Sequence, residues 1–126
     1  MKKRRRKLEL TRAEEEIMQI LWDMKKGFVK NIVEKFPDPK PAYNTVSTIV
    51  RILERKGFVD HHVFGKTHEY YPLMQRDEYK KQYVSNMMNN YFGGSFKQLV
   101  SFLISNDKLD VKELEDILNL VKKGKV

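Results

Sequence analysis

The 126-residue chain contains no cysteine. That excludes disulfides, thiolate zinc sites and a thiol nucleophile, and it is compatible with a reducing compartment. No apolar run approaches the ~18 residues that a transmembrane helix needs, so membrane insertion is not expected. The basic N-terminus lacks the apolar segment of a secretory signal, and a cytoplasmic location is expected. Histidine is confined to His61, His62 and His68. Adjacent His61 and His62 would point to opposite faces of a strand, so the three do not converge on one metal. Asp60 and Glu69 are the only carboxylates close by in sequence, so neither a metal nor a cofactor is expected. No nucleophile elbow, P-loop or dinucleotide-type glycine loop occurs, and the chain reads as non-enzymatic.

What the chain does have is charge, unevenly placed. The net charge is +8, and residues 2–7 (KKRRRK) supply six of the cations. Residues 8–76 hold 11 Lys/Arg against 10 Asp/Glu, and residues 77–126 hold 8 against 7. Any field attractive to a polyanion must therefore come from local placement and from the tail. Residues 1–7 read as a disordered basic arm suited to nonspecific phosphate contacts. Length and a hydrophobic share of 40% suit one domain, or a small domain with an appendage.

The most specific segment is 41–71. From residue 44 to 56, Val46, Ile49, Val50 and Leu53 keep the spacing of one buried helical stripe. The opposite side carries Asn44, Thr45, Ser47, Thr48, Arg51 and Arg55, short hydrogen-bonding groups followed by cations. Such a face suits a major groove, where leading residues reach base edges and cations hold phosphates. Gly57 is the expected left-handed stop. Upstream, residues 28–36 give a short helix with Val29, Ile32, Val33 and Phe36 on one face, and Pro37, Pro39 and Pro41 punctuate the connection. Downstream, residues 58–63 and 68–71 read as two strands around Phe64-Gly65-Lys66-Thr67. A tip with one cation and one hydroxyl, Lys66 and Thr67, suits a phosphate or a minor-groove edge.

Thr11 and Glu14 form a capping box that opens a first helix running to about Met24, which buries Ile17, Ile20, Leu21 and Trp22. Glu14, Glu15 and Glu16 have no His or Lys partner close in sequence and are expected to face water. Beyond Pro72 come three more helical patterns. The first, 77–92, aligns Tyr79, Tyr83, Met87 and Tyr91; the second carries Phe96, Val100 and Leu103; the third, capped by Asp110, carries Leu114 and Leu118. About 50 residues with so many apolar groups do not make a good isolated core. Pairing with a second copy is the favoured outcome, over a ligand pocket between the helices or an intramolecular core.

The runs LTRAEEEIMQILW (10–22), YNTVSTIVRILERKGFV (43–59) and GKTHEYYPL (65–73) resemble the BlaI/MecI family of penicillinase-type repressors, often grouped with the copper-responsive CopY repressors. The resemblance spans about residues 8–123. It implies a mainly α protein with a small β-hairpin: a winged helix-turn-helix at 8–74 and a three-helix dimerisation region at 75–126. It implies a homodimer on a double-stranded operator dyad, with Thr45, Ser47 and Thr48 facing DNA. Thr11 and Tyr43 become candidates for backbone contacts, and Lys66 for the wing contact. The copper-type members' C-terminal cysteine cluster is absent. Antibiotic-sensing members are cleaved at an Asn-Phe bond in a membrane sensor-protease pathway; Phe102-Leu103 stands at the aligned position, so that cleavage is not expected here. The expectation is a dimeric repressor that binds a palindromic operator and occludes a promoter, the alternative being a winged-helix protein-interaction module.

Overall fold

The computed structural model describes residues 9–124, so the basic segment 2–7 lies outside the described residues. The described chain divides into two compact units, meeting in sequence between Tyr83 and Val84. In the first unit, helix α1 (Arg12–Met24) is followed by strand β1 (Gly27–Phe28), helix α2 (Val29–Lys35) and helix α3 (Tyr43–Lys56). Strands β2 (Val59–Phe64) and β3 (Thr67–Pro72) come next, and then the start of helix α4 (Arg76–Tyr91).

The local signals act where the sequence puts them. The Thr11 hydroxyl accepts from the Glu14 backbone N–H at 3.1 Å, and Glu14 Oε1 accepts from the Thr11 N–H at 2.9 Å, which satisfies two helix-end donors. Gly57 closes α3 at φ 90°, a conformation in which any Cβ would be strained. Helix α3 thus begins one residue earlier than the spacing predicts and ends where expected. Each strand of the hairpin runs nearer its tip than predicted, with Phe64 opposite Thr67. Only Gly65 and Lys66 remain as the loop, and positive φ falls on Gly65 (61°) and not on Lys66. That is the pattern of a II′ turn, whose twist matches the flanking strands.

The hairpin has a third strand that the sequence does not announce. Strand β1 is two residues long and pairs antiparallel with β3, Gly27 opposite Tyr70 and Phe28 opposite Glu69, giving the order β1-β3-β2. A two-residue strand is too short to show a period. It anchors the start of α2 to the sheet.

The core gathers Ile17, Met18, Leu21 and Trp22 of α1 with Val29, Ile32, Val46, Val50 and Leu53, and with Phe58, Val59, Tyr70, Met74 and Tyr79. Met18 is fully buried, while Ile20, predicted to be inside, only packs against the rim. Trp22 Nε1 donates to the Met74 carbonyl at 2.8 Å, so the indole is buried with its one donor satisfied. Tyr79 departs from the dimerisation role expected of it. It is 5% exposed, with its ring 5.8 Å from Trp22 and 6.1 Å edge-on from Phe58. Its burial carries the first unit past residue 74 to Tyr83. Burial also raises the phenol pKa of Tyr79, and that of Tyr70.

Glu14 corrects a second expectation. It is 5% exposed rather than solvated, and its Oε1 receives Lys56 Nζ at 2.7 Å from the end of α3. Lys56→Met should leave that carboxylate without its cation and lower stability by about 2 kcal/mol. Chemical denaturation checks it, and Glu14→Gln in the same chain should recover part of the loss.

In the second unit, helix α4 continues to Tyr91, Gly93 and Gly94 turn the chain at φ 58° and 76°, and helices α5 (Phe96–Ser105) and α6 (Val111–Lys122) follow. Ser95 caps α5, and Asp110 with Glu113 forms a capping box on α6. Neither α5 nor α6 has a buried residue. Among the described residues, no helix is long and apolar enough to cross a membrane.

Candidate nucleic-acid interface

Helix α3 is held by its buried stripe, Val46, Val50 and Leu53, which leaves the other side turned outward. Asn44, Thr45, Thr48, Arg51 and Arg55 are exposed, Ser47 is half-buried, and Tyr43 at the first helical position is 53% exposed. Asn44, Thr48, Arg51 and Arg55 follow at intervals of four, three and four residues, so they line up along one face. The face passes from hydroxyl and amide groups to guanidinium groups along the helix. Ala42 at the N-cap offers no side-chain acceptor, and the first turn contains no acidic residue. The leading N–H groups of α3 and its positive dipole end are therefore not neutralised from within the helix.

The wing tip brings Lys66 into solvent on the Gly65 turn. Thr67 is exposed, but its hydroxyl donates to the Phe64 carbonyl at 2.9 Å. Its proton is committed to the turn, so Thr67 can accept and not donate, which does not suit it to a phosphate oxygen as expected. Thr11 is exposed with its oxygen accepting the cap bond, and its proton is free to donate outward. A groove of ≈ 320 Å³ lies between Thr67, near the wing tip, and the starts of α2 and α3, lined by Phe28, Val29, Lys30, Asn31, Tyr43 and Thr67. Lys30 is an exposed cation on this groove that the sequence reading passed over. Its signal was weak, because β1 is what sets the start of α2 beside the hairpin.

The histidines divide as the strand period requires. His61 and His68 stack at 4.1 Å with an interplanar angle of 7°, while His62 stacks on Tyr71 at 4.8 Å. The partner that sequence proximity could not supply is Glu54 of α3, whose carboxylate oxygens lie 3.0 and 3.1 Å from His61 Nδ1.

The second unit exposes a different chemistry. Tyr91 (77%), Phe96 (67%) and Leu118 (50%) are open, while Met87, Val100, Leu103 and Leu114 are half-buried; Tyr83 (52%), the last residue of the first unit, is open too. Phe102, Val111, Ile117, Leu120 and Val121 add to the exposed apolar area. Patches of this extent on a small unit mark an interaction surface.

Comparison with known proteins agrees with this arrangement. The penicillinase repressor family matches residues 10–123. The chain is 30% identical over 116 residues to the methicillin resistance regulatory protein MecI of Staphylococcus aureus strain N315, spanning 91% of this chain and 94% of that protein. It is 27% identical over 122 residues to a penicillinase repressor of Staphylococcus aureus, spanning 94% and 97%. Its fold is similar to the solution structure of the DNA-binding domain of the repressor BlaI, with a TM-score of 0.51 and 21% identity, over 59% of this chain and 93% of that one.

Proposed function

The chain belongs to the penicillinase repressor family, and from that premise we propose that it is a DNA-binding transcriptional repressor acting as a homodimer on a palindromic operator. The family is one of repressors and not of enzymes. The observation that carries the reading is the outward face of α3, Asn44, Thr45, Thr48 and Arg51, exposed beside a wing whose tip holds Lys66. Hydroxyl and amide groups at the leading end read base edges, while Arg51 and Lys66 hold phosphates. Tyr43 and Lys30 flank the groove beside the wing tip, where the duplex backbone would pass. Ser47 supports the edge of the face, and Thr11 reaches the backbone from the start of α1.

Dimerisation follows from the second unit. Helices α5 and α6 expose apolar stripes that a second copy would cover, with Tyr83, Met87, Tyr91, Phe96, Val100, Leu103, Leu114 and Leu118 at the interface. A two-fold pair can set two α3 helices about one DNA turn apart, ~34–36 Å, which demands a dyad in the site. Occupation of a promoter by such a dimer excludes polymerase, and the working compartment is the cytoplasm.

Selection of DNA fragments by the purified chain tests the reading, because it reports binding and dyad spacing together. A selected site with two inverted halves is expected. Failure to enrich any duplex would favour a protein-interaction module on the same scaffold. Lys66→Ala is expected to weaken binding to all duplexes and to reduce the salt slope by about one. An unchanged slope in a filter-binding series would remove Lys66 from the contact.

A further inference from the structure

We propose that Glu54, Asp60 and His61 form a binding site for a divalent transition-metal ion of the zinc type, joining the last turn of α3 to strand β2. The three residues come from two elements, and one donor atom from each lies within 4.8 Å of the others. His61 Nδ1 stands 3.0 Å from Glu54 Oε1 and 3.9 Å from Asp60 Oδ1. Donors held 2.0–2.2 Å from a tetrahedral zinc stand roughly 3.4 Å from one another. The two separations from the imidazole nitrogen bracket that value, and the Glu54 and Asp60 oxygens lie within 4.8 Å of each other.

Neighbouring groups hold two of the three donors in place. Asp60 Oδ1 also accepts from the backbone N–H of His61 at 2.8 Å, which orients the carboxylate toward the imidazole. The His61 ring is held in plane by His68, stacked at 4.1 Å, and by Tyr70 at 5.5 Å. A single imidazole–carboxylate hydrogen bond accounts for Glu54, and the backbone N–H of His61 holds Asp60, which leaves two carboxylates facing one imidazole. A divalent cation balances both carboxylates and takes the imidazole as its nitrogen ligand. One nitrogen with carboxylate oxygens selects zinc, cobalt or nickel over Cu(I), which prefers thiolate, and over calcium, which prefers oxygen alone. The fourth position would be filled by water. Because Glu54 sits at the end of α3 and His61 on the wing, a bound ion would lock the wing against that helix.

The test is a DNA-free titration of the full-length, untagged chain with Co2+, read by its visible d–d absorption, followed by competition with Zn2+. One equivalent per chain is expected, displaced by Zn2+, with a rise in melting temperature on Zn2+ addition. His61→Ala and the isosteric Glu54→Gln should each weaken binding by about 100-fold or more, beyond the loss that outer-shell partners give. His62→Ala, on the opposite face of the strand, should leave affinity unchanged. Absence of a d–d band overturns the proposal, as does a band that survives both His61→Ala and Glu54→Gln. Loss of the band in His62→Ala would overturn it too. Since no duplex is present, these outcomes are independent of whether the chain binds DNA.

Discussion

Phe58→Ala is expected to cost about 3–5 kcal/mol of folding free energy. The side chain has no exposure and is the largest that is fully buried. It sits between the end of α3 and the start of β2, and meets Tyr79 edge-on at 6.1 Å. Its backbone carbonyl accepts from Leu73 N at 2.8 Å, so the same residue anchors the exit of β3. Removing the ring opens a cavity where α3, the sheet and α4 converge, and the stiff surroundings relax only in part. For a small domain with a total stability of about 5–15 kcal/mol, this variant should be close to unfolding at physiological temperature. Urea denaturation followed by circular dichroism measures it. Val63→Thr, at a strand position 63% exposed, serves as the control and should stay within about 0.5 kcal/mol of the parent. A Phe58→Ala loss as small as the control's would mean that the three elements are held together elsewhere.

The second large effect is one of discrimination. Thr45→Ala combined with Thr48→Ala should reduce the preference for the selected operator over scrambled duplex by about 2–4 kcal/mol, or roughly 30- to 1000-fold. Both hydroxyls are exposed on the leading half of α3, and neither belongs to the packed stripe, so stability should be nearly unchanged. In the proposed docking, their loss removes donors and acceptors aimed at base edges, while Arg51 and Lys66 still hold the phosphates. Binding to scrambled DNA and the salt slope should therefore stay as they were, the reverse of the Lys66→Ala result. Competition titrations at one fixed salt concentration separate the two. If the double variant lost affinity equally for both duplexes, the hydroxyls would be positioning the helix and not reading sequence.

The separation between those two variants follows from the charge distribution. With 11 cations against 10 anions over residues 8–76, the described domain has little bulk attraction for a polyanion. A few placed side chains must then supply both orientation and specificity, which is why single substitutions should show clear and distinct effects.

The legible features are those whose cause lies within one turn of chain. The Thr11–Glu14 box, the Gly57 stop, the Gly65 turn and the polar face of α3 each depend on residues a few positions apart, and all four stand where the pattern puts them. What the pattern missed depends on distant chain. Glu14 looks like a solvated helix start until Lys56, 42 residues on, arrives to pair with it. Tyr79 continues the stripe of Tyr83 and Met87, yet Trp22 and Phe58 capture it for the first core. His61 has only Asp60 and Glu69 near it in sequence until α3 delivers Glu54. Sequence alone thus determined the elements other than β1 and the outward chemistry of α3, because capping, φ preference and periodicity are local properties. Tertiary structure decided which charges are buried in pairs, where the first unit ends and what faces His61, because packing joins residues that no short-range rule relates.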